Sequence, residues 1–373
     1  MIETPLPSPL VRIEGAAEVL PVDGGVRPSR LPAAALRRAP APSFALIAAA
    51  TAGIRLRLRT AATALELATG LTRAAVPGVG TLPAVFDLFA DGDRVARVPA
   101  EGGAVIALDA LASGGDDDAR QVIRFAGLAP REKDVEIWLP HTALCDVHSV
   151  RADAPLVEPP PSTVPRWIHY GSSISHCIEA EGPSDTWPAV AARATGLDHV
   201  NLGFAGNAML DPFVARAIRD RPAGVISLKI GANIVEQATM RVRTFLPAVH
   251  GFLDTIREAH PDTPVIVVSP IISPVMEEFG GPVVYDGGVT RTLGTRLDLE
   301  HGALNLRIVR ELLADLVAGR VAEGEALTYV DGRELLGEPE DLHDGIHPSA
   351  PAYLRMGARF AKVLAGQGFD QSA

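Results

Sequence analysis

Asp344 and His347 lie three residues apart near the end of a 373-residue chain, in Asp344-Gly345-Ile346-His347. A local turn over this spacing can bring a carboxylate against an imidazole, which orients the ring and stabilises its protonated form. A histidine held in this way is a general base suited to activating a serine hydroxyl. The spacing therefore predicts acid–base chemistry at this turn.

A metal site is the competing interpretation of the same stretch, since Asp341, His343, Asp344 and His347 all carry potential ligand atoms. The two cysteines, Cys145 and Cys177, are too few for a disulfide framework or a zinc cluster. We expect both to be buried, reduced thiols, although a disulfide between them stays possible. Because no other ligand group stands out, we expect neither a metal nor a cofactor.

Three segments place small or polar residues where a predicted strand ends. Gly171-Ser172-Ser173-Ile174-Ser175 offers a serine nucleophile, but a serine here also suits a helix N-cap or a phosphate contact. Residues 201–207 contain Gly203 and Gly206, which allow a ligand close to a bare N–H. The glycine spacing lacks the first glycine of a dinucleotide loop, so we reject that site. Gly231-Ala232-Asn233 presents a side-chain amide, or simply a turn-forming asparagine.

The elements that must position these residues alternate between strand and helix after residue 160, which predicts a parallel sheet with helices on both faces. In such sheets ligands bind beyond the carboxyl ends of the strands. The predicted strands are Trp167–Tyr170, His199–Leu202, Gly224–Ile230, Pro264–Ser269 and Leu327–Val330. The predicted helices are Thr186–Thr195, Pro212–Asp220, Met240–Ala259, Leu304–Val317 and Ala352–Leu364.

The first 158 residues follow a different pattern, in which short segments alternate polar and apolar residues with the period of a half-buried strand. These segments are Gly53–Leu58, Ala84–Phe89, Ala104–Leu108, Gln121–Phe125 and Asp134–Leu139, with turns at Asp91-Gly92 and Gly114-Gly115-Asp116. Such a series predicts a β-sandwich or jelly roll. Ala61–Leu71 also fits a short helix. Arg55, Arg57 and Arg59 are expected on a solvated face, or as a surface for an acidic ligand.

Length and composition set the organisation of the chain. Residues 159–165 form a proline-rich linker, so we predict a β domain over 1–158 and an α/β domain over 166–373. The net charge of −11 argues against a nucleic-acid partner. No apolar run reaches the ~18 residues of a membrane span, and the amino terminus lacks the features of a secretory signal. We therefore expect a cytoplasmic protein without membrane contact.

Taken together, four segments resemble the conserved blocks of the SGNH (GDSL-type) hydrolase superfamily, in the same chain order. Gly171-Ser172-Ser173-Ile174 is similar to the first block, residues 201–207 to the second, Gly231-Ala232-Asn233 to the third and Asp344-Gly345-Ile346-His347 to the last. The resemblance, over about residues 166–366, implies a flavodoxin-like three-layer α/β/α domain. It also implies the catalytic residues Ser173, Asp344 and His347, and an oxyanion hole of Ser173, Gly206 and Asn233.

Two positions depart from the superfamily pattern. Ser172 stands where the family usually has aspartate, so any bracing by that carboxylate must come from a hydroxyl or be lost. Ile234 follows Asn233 where the family commonly has aspartate. Neither position belongs to the triad or the oxyanion hole, so we expect the chemistry to survive. His176 and Trp187-Pro188 are expected to pack.

An added β-sandwich before such a domain is similar to the layout of some carbohydrate esterases, and of an acyltransferase that attaches a salicylyl group in tetracycline-type polyketide tailoring. The resemblance implies an acyl-Ser173 intermediate, a small-molecule acyl donor, and water or an alcohol as acceptor. The alternative is a non-catalytic carbohydrate-binding protein on the same fold. The glycine-rich segment Ser273–Arg291 is either a lid or acceptor-binding loop or a surface insertion. The sequence leaves open hydrolysis or transfer and the oligomeric state.

Overall fold

The computed structural model describes residues 1–76, 80–107, 113–114, 120–286 and 289–369. The chain forms two compact units, one of Met1–Thr163 with Glu181–Ser184, and one of Val164–Ala180 with Asp185–Ala373. The division between Thr163 and Val164 falls inside the proline-rich stretch 159–165. None of the helices in the described ranges has the length and hydrophobicity needed to cross a membrane.

The first unit is built almost wholly of strands. They are β1 (Ile2–Pro5), β2 (Arg12–Glu14), β3 (Glu18–Val22), β4 (Gly25–Ser29), β5 (Arg55–Thr60), β6 (Ala64–Val76), β7 (Gly80–Thr81), β8 (Ala84–Ala90), β9 (Asp93–Ala100), β10 (Ala104–Ala107), β11 (Ser113–Gly114), β12 (Arg120–Ala126), β13 (Lys133–Trp138), β14 (Ala143–Ala152) and β15 (Leu156–Val157). Two helices, α1 (Ala33–Leu36) and α2 (Pro42–Ala49), follow β4.

These strands form two sheets. In the first, the order is β11-β10-β6-β14-β4-β3, with β1 beside β14 and with β12 and β7 beside β6. The order in the second is β15-β5-β13-β8-β9, with β2 beside β5. All described pairs are antiparallel except β10 with β6. Residues 108 and 115–116, which we placed in a strand and a turn, lie outside the described residues.

The helix considered for Ala61–Leu71 is wrong, because this stretch enters β6. Leu65 and Leu67 are fully buried while Glu66 between them is half-buried, which is the alternation of a strand and not of a helix. β12 and β14 pair with β6 on its two edges and satisfy its backbone groups. The pairing partners therefore decide an assignment that the sequence left open.

The solvated face expected for the three arginines of β5 is wrong for Arg55, which is 6% exposed. Its guanidinium lies over the Trp138 ring, 5.3 Å from the ring centroid, and 3.9 Å from the Glu136 carboxylate. Arg57 also lies near Glu136, at 3.7 Å. In the register of β13 with β5, Glu136 stands opposite Arg57 and Trp138 stands opposite Arg55, which allows both arginines to be partly buried.

The second unit alternates strands and helices. Its strands are β16 (Arg166–Gly171), β17 (Asp198–Gly203), β18 (Val225–Lys229), β19 (Val265–Val268), β20 (Val283–Asp286), β21 (Val289–Thr292) and β22 (Leu327–Val330). Its helices are α3 (Ser173–His176), α4 (Trp187–Thr195), α5 (Pro212–Arg219), α6 (Ala232–Glu236), α7 (Val242–Arg257), α8 (Arg296–Glu300), α9 (Leu306–Ala322), α10 (Gly332–Leu335) and α11 (Ala350–Gly366). Pro339–Asp341 forms a 3₁₀ turn.

Five of these strands form a sheet in the order β17-β16-β18-β19-β22, and every pair is parallel. Numbered along the unit, the order is 2-1-3-4-5, which places the topological switch point between the first and third strands. The predicted parallel sheet is confirmed. β20 and β21 form a separate hairpin. The segments that follow β16, β17 and β18 therefore meet at the edge where such sheets bind ligands.

Candidate active site

Ser173 is the first residue of α3, directly after β16 and the N-cap residue Ser172. The turn fits closely against the next strand, because a Cβ at Gly203 would collide with the backbone of Ser175 and His176. Glycine at this position therefore allows α3 to approach β17. Trp187 donates from Nε1 to the Ile174 carbonyl at 2.8 Å and holds the same helix. These contacts fix the backbone that carries Ser173.

The structure brings Ser173, His347 and Asp344 into one hydrogen-bonded chain. Ser173 Oγ lies 2.9 Å from His347 Nε2, and His347 Nδ1 lies 2.7 Å from Asp344 Oδ2. A carboxylate only accepts, so Nδ1 carries the hydrogen and Nε2 of the neutral ring accepts the serine proton. This tautomer is the one a general base for serine requires.

The turn at Asp344 explains why three-residue spacing suffices. Asp344 Oδ1 accepts from the backbone N–H groups of Ile346, at 2.9 Å, and His347, at 2.7 Å. Gly345 between them has a φ of 82°, and its carbonyl accepts from Ser273 Oγ at 2.8 Å. One carboxylate oxygen therefore shapes the turn while the other holds the imidazole.

Charges around the turn stabilise the imidazolium. Burial disfavours a charged ring, but the hydrogen bond to Asp344 and the negative charges of Glu179, Asp344 and Glu236 outweigh it and raise the pKa of His347 to about 9. Burial also opposes the charge of Asp344, yet its bond to His347 holds the pKa of that carboxyl well below its usual range. The site therefore favours a proton on His347 and a negative charge on Asp344.

Asn233 lies in α6, just beyond the carboxyl end of β18. The helix begins after Gly231, whose φ of 109° favours glycine and whose Cα faces Val309 with no room for a Cβ. Asn233 Oδ1 accepts from the Ala208 N–H at 3.1 Å, and Nδ2 donates to Glu236 Oε2 at 2.9 Å. Since Ala208 N–H only donates and the carboxylate only accepts, these partners set the orientation of the amide.

The other two predicted oxyanion donors are backbone amides. Gly206 follows β17 with a φ of 67°, and its carbonyl accepts from Gln237 Nε2 at 2.7 Å. Within the described residues, neither the Ser173 nor the Gly206 N–H donates to a backbone carbonyl. The predicted oxyanion hole consists of these two amides and the second Nδ2 hydrogen of Asn233.

Ser172 does not replace the aspartate that is usual in the superfamily. It is 2% exposed, and its hydroxyl has no hydrogen-bond partner in the described part of the chain. Its carbonyl accepts from the Ser175 and His176 amides, both at 3.0 Å. Any bracing by a side chain at this position is therefore lost, and only the backbone contacts remain.

The four residues of the competing metal site are engaged in hydrogen bonds and ion pairs. Asp341 pairs with Arg355, and Asp344 binds His347. His343 is half exposed and contacts the His347 carbonyl through Nδ1 at 3.0 Å. Among the described residues, no group of three His, Cys, Asp or Glu side chains is arranged to hold a metal ion. Cys145 and Cys177 are buried, free thiols.

A second histidine lies in the strand beneath α3. His169 is fully buried, with Nε2 2.7 Å from Ser175 Oγ and Nδ1 2.7 Å from Ser227 Oγ. Trp167 donates from Nε1 to the same Ser227 oxygen at 2.8 Å. Burial first, and then the positive charges of Lys229 and His199, place the pKa of His169 well below its usual value. This buried network ties α3 to β16 and β18.

Sequence reasoning missed three residues that contact the site: Glu236, Gln237 and Tyr285. Glu236 follows Asn233 by three residues, a spacing that puts two side chains on one face of a helix, and this was the available signal. Tyr285 OH donates to Glu236 Oε1 at 3.0 Å, a contact between distant segments that no local pattern indicates. His176 and Trp187, expected to pack, are both buried.

Comparison with known proteins follows the same division of the chain. Residues 165–277 match the model of the GDSL-like lipase/acylhydrolase family. This match fits an assignment of the second unit to the SGNH superfamily. A search of curated proteins gives no match.

Solved structures resemble the chain over nearly its whole length. The salicylyl-acyltransferase SsfX3 from a tetracycline biosynthetic pathway is 28% identical, with a TM-score of 0.82 over 98% of this chain and 97% of that one. A family two carbohydrate esterase from Clostridium thermocellum is 13% identical, with a TM-score of 0.63 over 95% and 99%. The acetyl xylan esterase Est2A from Butyrivibrio proteoclasticus is 12% identical, with a TM-score of 0.57 over 98% and 99%. The family and these neighbours support an enzyme of ester chemistry.

Proposed function

We propose that this chain is a serine-dependent acyl-transfer enzyme that acts on an O-acyl ester through an acyl-Ser173 intermediate. The observation that carries the proposal is the chain of hydrogen bonds from Ser173 Oγ through His347 to Asp344, at 2.9 and 2.7 Å. Ser173, His347 and Asp344 then act as nucleophile, general base and orienting carboxylate.

In the first half-reaction, Ser173 Oγ bonds to the acyl carbon while its proton passes to His347 Nε2. The carbonyl oxygen becomes an oxyanion that the Ser173 and Gly206 amides and the Asn233 side chain stabilise. When the ester C–O bond breaks, the leaving oxygen takes the proton from His347. The products are a free alcohol and the acylated serine.

In the second half-reaction, an acceptor hydroxyl gives its proton to His347 and bonds to the acyl carbon, and Ser173 Oγ recovers the proton as it leaves. Water as acceptor gives hydrolysis, and an alcohol gives transfer. The 28% identity to SsfX3 over 98% of the chain supports a bound alcohol as the acceptor. A small-molecule acyl donor and an alcohol are then the partners of the site.

We further propose that the two sheets of the first unit form a jelly-roll-like β-sandwich. Their mostly antiparallel pairing supports this arrangement, as does the likeness to two esterases over at least 95% of the chain. The apolar side chains of β5, β6, β8, β13 and β14 belong to one buried cluster, as the inner faces of a sandwich require.

The test is to incubate the full chain with p-nitrophenyl acetate and a series of alcohols, and to follow protein and products by mass spectrometry. We expect an acetyl adduct on Ser173 that Ser173→Ala abolishes, and a product ester formed in preference to free acid. Ser175→Ala, two residues along the same helix, is the matched control and should keep the adduct. An adduct that persists in Ser173→Ala contradicts the mechanism, and free acid alone with every alcohol identifies a hydrolase.

A further inference from the structure

Glu236 contacts the site through both of its carboxylate oxygens. Oε2 accepts from Asn233 Nδ2 at 2.9 Å, and Oε1 accepts from the Tyr285 hydroxyl at 3.0 Å. Tyr285 belongs to β20 of the β20–β21 hairpin, in the segment that sequence reasoning considered as a lid or as an insertion. One side chain therefore joins the hairpin to the amide that we assign to the oxyanion hole.

The backbone joins the same two regions. Gly281, which leads into β20, donates its N–H to the Val235 carbonyl of α6 at 2.8 Å. A Cβ at Gly281 would collide with the carbonyl oxygens of Val235 and Glu236. The hairpin thus starts directly against the helix that carries Asn233, and Tyr285 provides a second attachment.

The function of Asn233 depends on which way its amide points. The Ala208 N–H holds Oδ1 in place, but without an acceptor at Nδ2 the side chain has a single attachment and is free to turn about it. With Glu236 present, one Nδ2 hydrogen is bound and the other is fixed in direction. A donor fixed before the reaction stabilises an oxyanion better than one that must reorient.

We propose that Glu236 is a positioning residue of the oxyanion hole, and that its bond to Tyr285 couples the β20–β21 hairpin to the orientation of the Asn233 amide. The inference rests on the proposed function, because it assigns Asn233 an oxyanion role. It adds Glu236, which does not touch the reacting atoms, to the residues that support the oxyanion hole. It also predicts that the hairpin affects the reaction rate.

The charge of Glu236 supplies an independent readout. Three carboxylates raise the pKa of His347: Asp344 from the same turn, Glu179 from the segment after α3, and Glu236 from α6. Tyr285 from the hairpin is a neutral neighbour of these acids, and its pKa is raised by burial and by the Glu236 charge. Removing only the Glu236 charge should shift the pH profile to lower pH, which a change in packing alone does not predict.

The experiment measures kcat and KM of the full chain on p-nitrophenyl acetate. Measured on the high-pH plateau, where His347 is neutral in every variant, Glu236→Ala should lower kcat about 10- to 100-fold with KM nearly unchanged, since a transition-state contact loses its orientation. In an Asn233→Ala background the same change should have almost no further effect, because there is no amide left to orient. Independent, multiplicative losses would overturn the inference.

Glu236→Gln is the conservative variant. Its carbonyl oxygen still accepts from Asn233 Nδ2, so kcat at its pH maximum should stay within about threefold of the parent while the midpoint of the profile moves down. A Gln variant as slow as Glu236→Ala, or an unmoved midpoint, would contradict the positioning role. This variant also keeps the size of the side chain if Glu236→Ala fails to fold.

Tyr285→Phe tests the coupling to the hairpin. It removes one neutral hydrogen bond and should lower kcat about two- to tenfold. Tyr329→Phe is the matched control, because its hydroxyl, in β22, donates to Ser269 Oγ directly after β19 at 3.0 Å and not to a residue of α6. Equal effects of Tyr285→Phe and Tyr329→Phe on kcat would remove the hairpin from the inference. Loss of the acyl adduct in Ser173→Ala is a separate result that tests the proposed function itself.

Discussion

Two histidines of the second unit each contact a serine of α3, and the two surroundings differ in one partner. Above the helix, His347 lies 2.9 Å from Ser173 and binds the carboxylate of Asp344. Below it, His169 Nε2 lies 2.7 Å from the Ser175 hydroxyl and its Nδ1 lies 2.7 Å from the Ser227 hydroxyl. Asp344 and the nearby acids stabilise a protonated His347, whereas burial keeps His169 in its neutral form.

The comparison teaches that a serine–histidine contact is not by itself a catalytic signature. A base must take up a proton during the reaction, so it needs a partner that stabilises the charged ring. Both ring nitrogens of His169 contact serine hydroxyls and not a carboxylate, and the pKa of His169 is well below its usual value. Its hydrogen bonds serve instead to hold α3 against the sheet, and so to place Ser173 for the other histidine.

The largest expected effect separates the two histidines. His347→Gln should lower kcat by about 10⁴- to 10⁶-fold, because the serine loses its general base. His169→Gln should leave kcat within about tenfold once circular dichroism shows that the variant is folded. Equal losses of kcat in two folded variants would mean that the distinction between these histidines is wrong.

The next matched pair is Asp344, which binds His347, and Ser227, which contacts His169. Asp344→Asn should lower kcat about 10⁴-fold, because an amide stabilises the wrong tautomer and no longer supports the imidazolium. Ser227→Ala, at the equivalent place behind His169, should change kcat by less than about tenfold. Steady-state kinetics on one activated ester measures both, and a mild effect of Asp344→Asn would break the comparison.

The proposed oxyanion donors of Ser173, Gly206 and Asn233 follow the carboxyl ends of three strands. Asn233→Ala should lower kcat about 10²- to 10³-fold and leave the fold unchanged, since removing one such donor has this effect in enzymes of this type. The measurement is kcat at saturating ester, with the thermal unfolding temperature as the control for folding. Near-normal turnover would exclude Asn233 from the oxyanion hole.

The pH dependence follows from the sign of the shift at His347. A pKa raised to about 9 means that the ring is protonated, and cannot accept from Ser173, at lower pH. We expect kcat/KM to rise about tenfold per pH unit up to roughly pH 9 and then to level off, since this ratio reports the free enzyme. A plateau that begins near pH 6.5 would show that the surrounding acids do not act on the base.

The smallest effect concerns stability. Ser227→Ala leaves Trp167 Nε1 and His169 Nδ1 buried without this partner, which should lower the free energy of unfolding by about 1–3 kcal/mol. Denaturant titration of the variant and its parent measures the difference. A variant as stable as the parent would show that the hydrogen bonds around His169 do not hold the sheet and α3 together.

The same neutral histidine gives a stability prediction of opposite sign to His347. His169 has a lowered pKa in the folded state, so the unfolded chain binds its proton more readily and stability falls as the pH drops below about 6.5. His347 has a raised pKa, so its contribution is fully present below about 6.5 and is lost as the pH rises through about 9. Unfolding curves between pH 5 and 9 should therefore depart from the parent with opposite signs at low pH. His169→Gln gains stability relative to the parent as the pH falls below about 6.5, whereas His347→Gln loses stability relative to the parent as the pH falls from about 9.

The sequence allowed the residues around Ser173 and His347 to be placed at the sheet edge, because most of them follow strands. Each strand of the parallel sheet is a short apolar run, and Ser173, Gly206 and Asn233 come soon after three of them. The turn from Asp344 to His347 needed only local geometry. A residue could thus be placed where following a strand implies a position at the carboxyl edge of the sheet.

The contacts of His169 and the attachments of the β20–β21 hairpin were not predictable in this way. His169 lies inside β16, where its imidazole could have met any neighbouring side chain. The Glu236 contact with Tyr285 joins residues 49 positions apart. In the first unit, β14 was missed although it pairs with β6 along nearly its whole length. Such contacts depend on tertiary packing, which a local pattern does not contain.

The strand order has a consequence for the growing chain. The nucleophile follows the first strand of the parallel sheet and the base comes after the last, 174 residues later. A nascent polypeptide that has emerged only as far as β19 has its serine but no imidazole to deprotonate it. On the proposed mechanism, reactivity toward esters therefore requires that synthesis of the domain be almost finished.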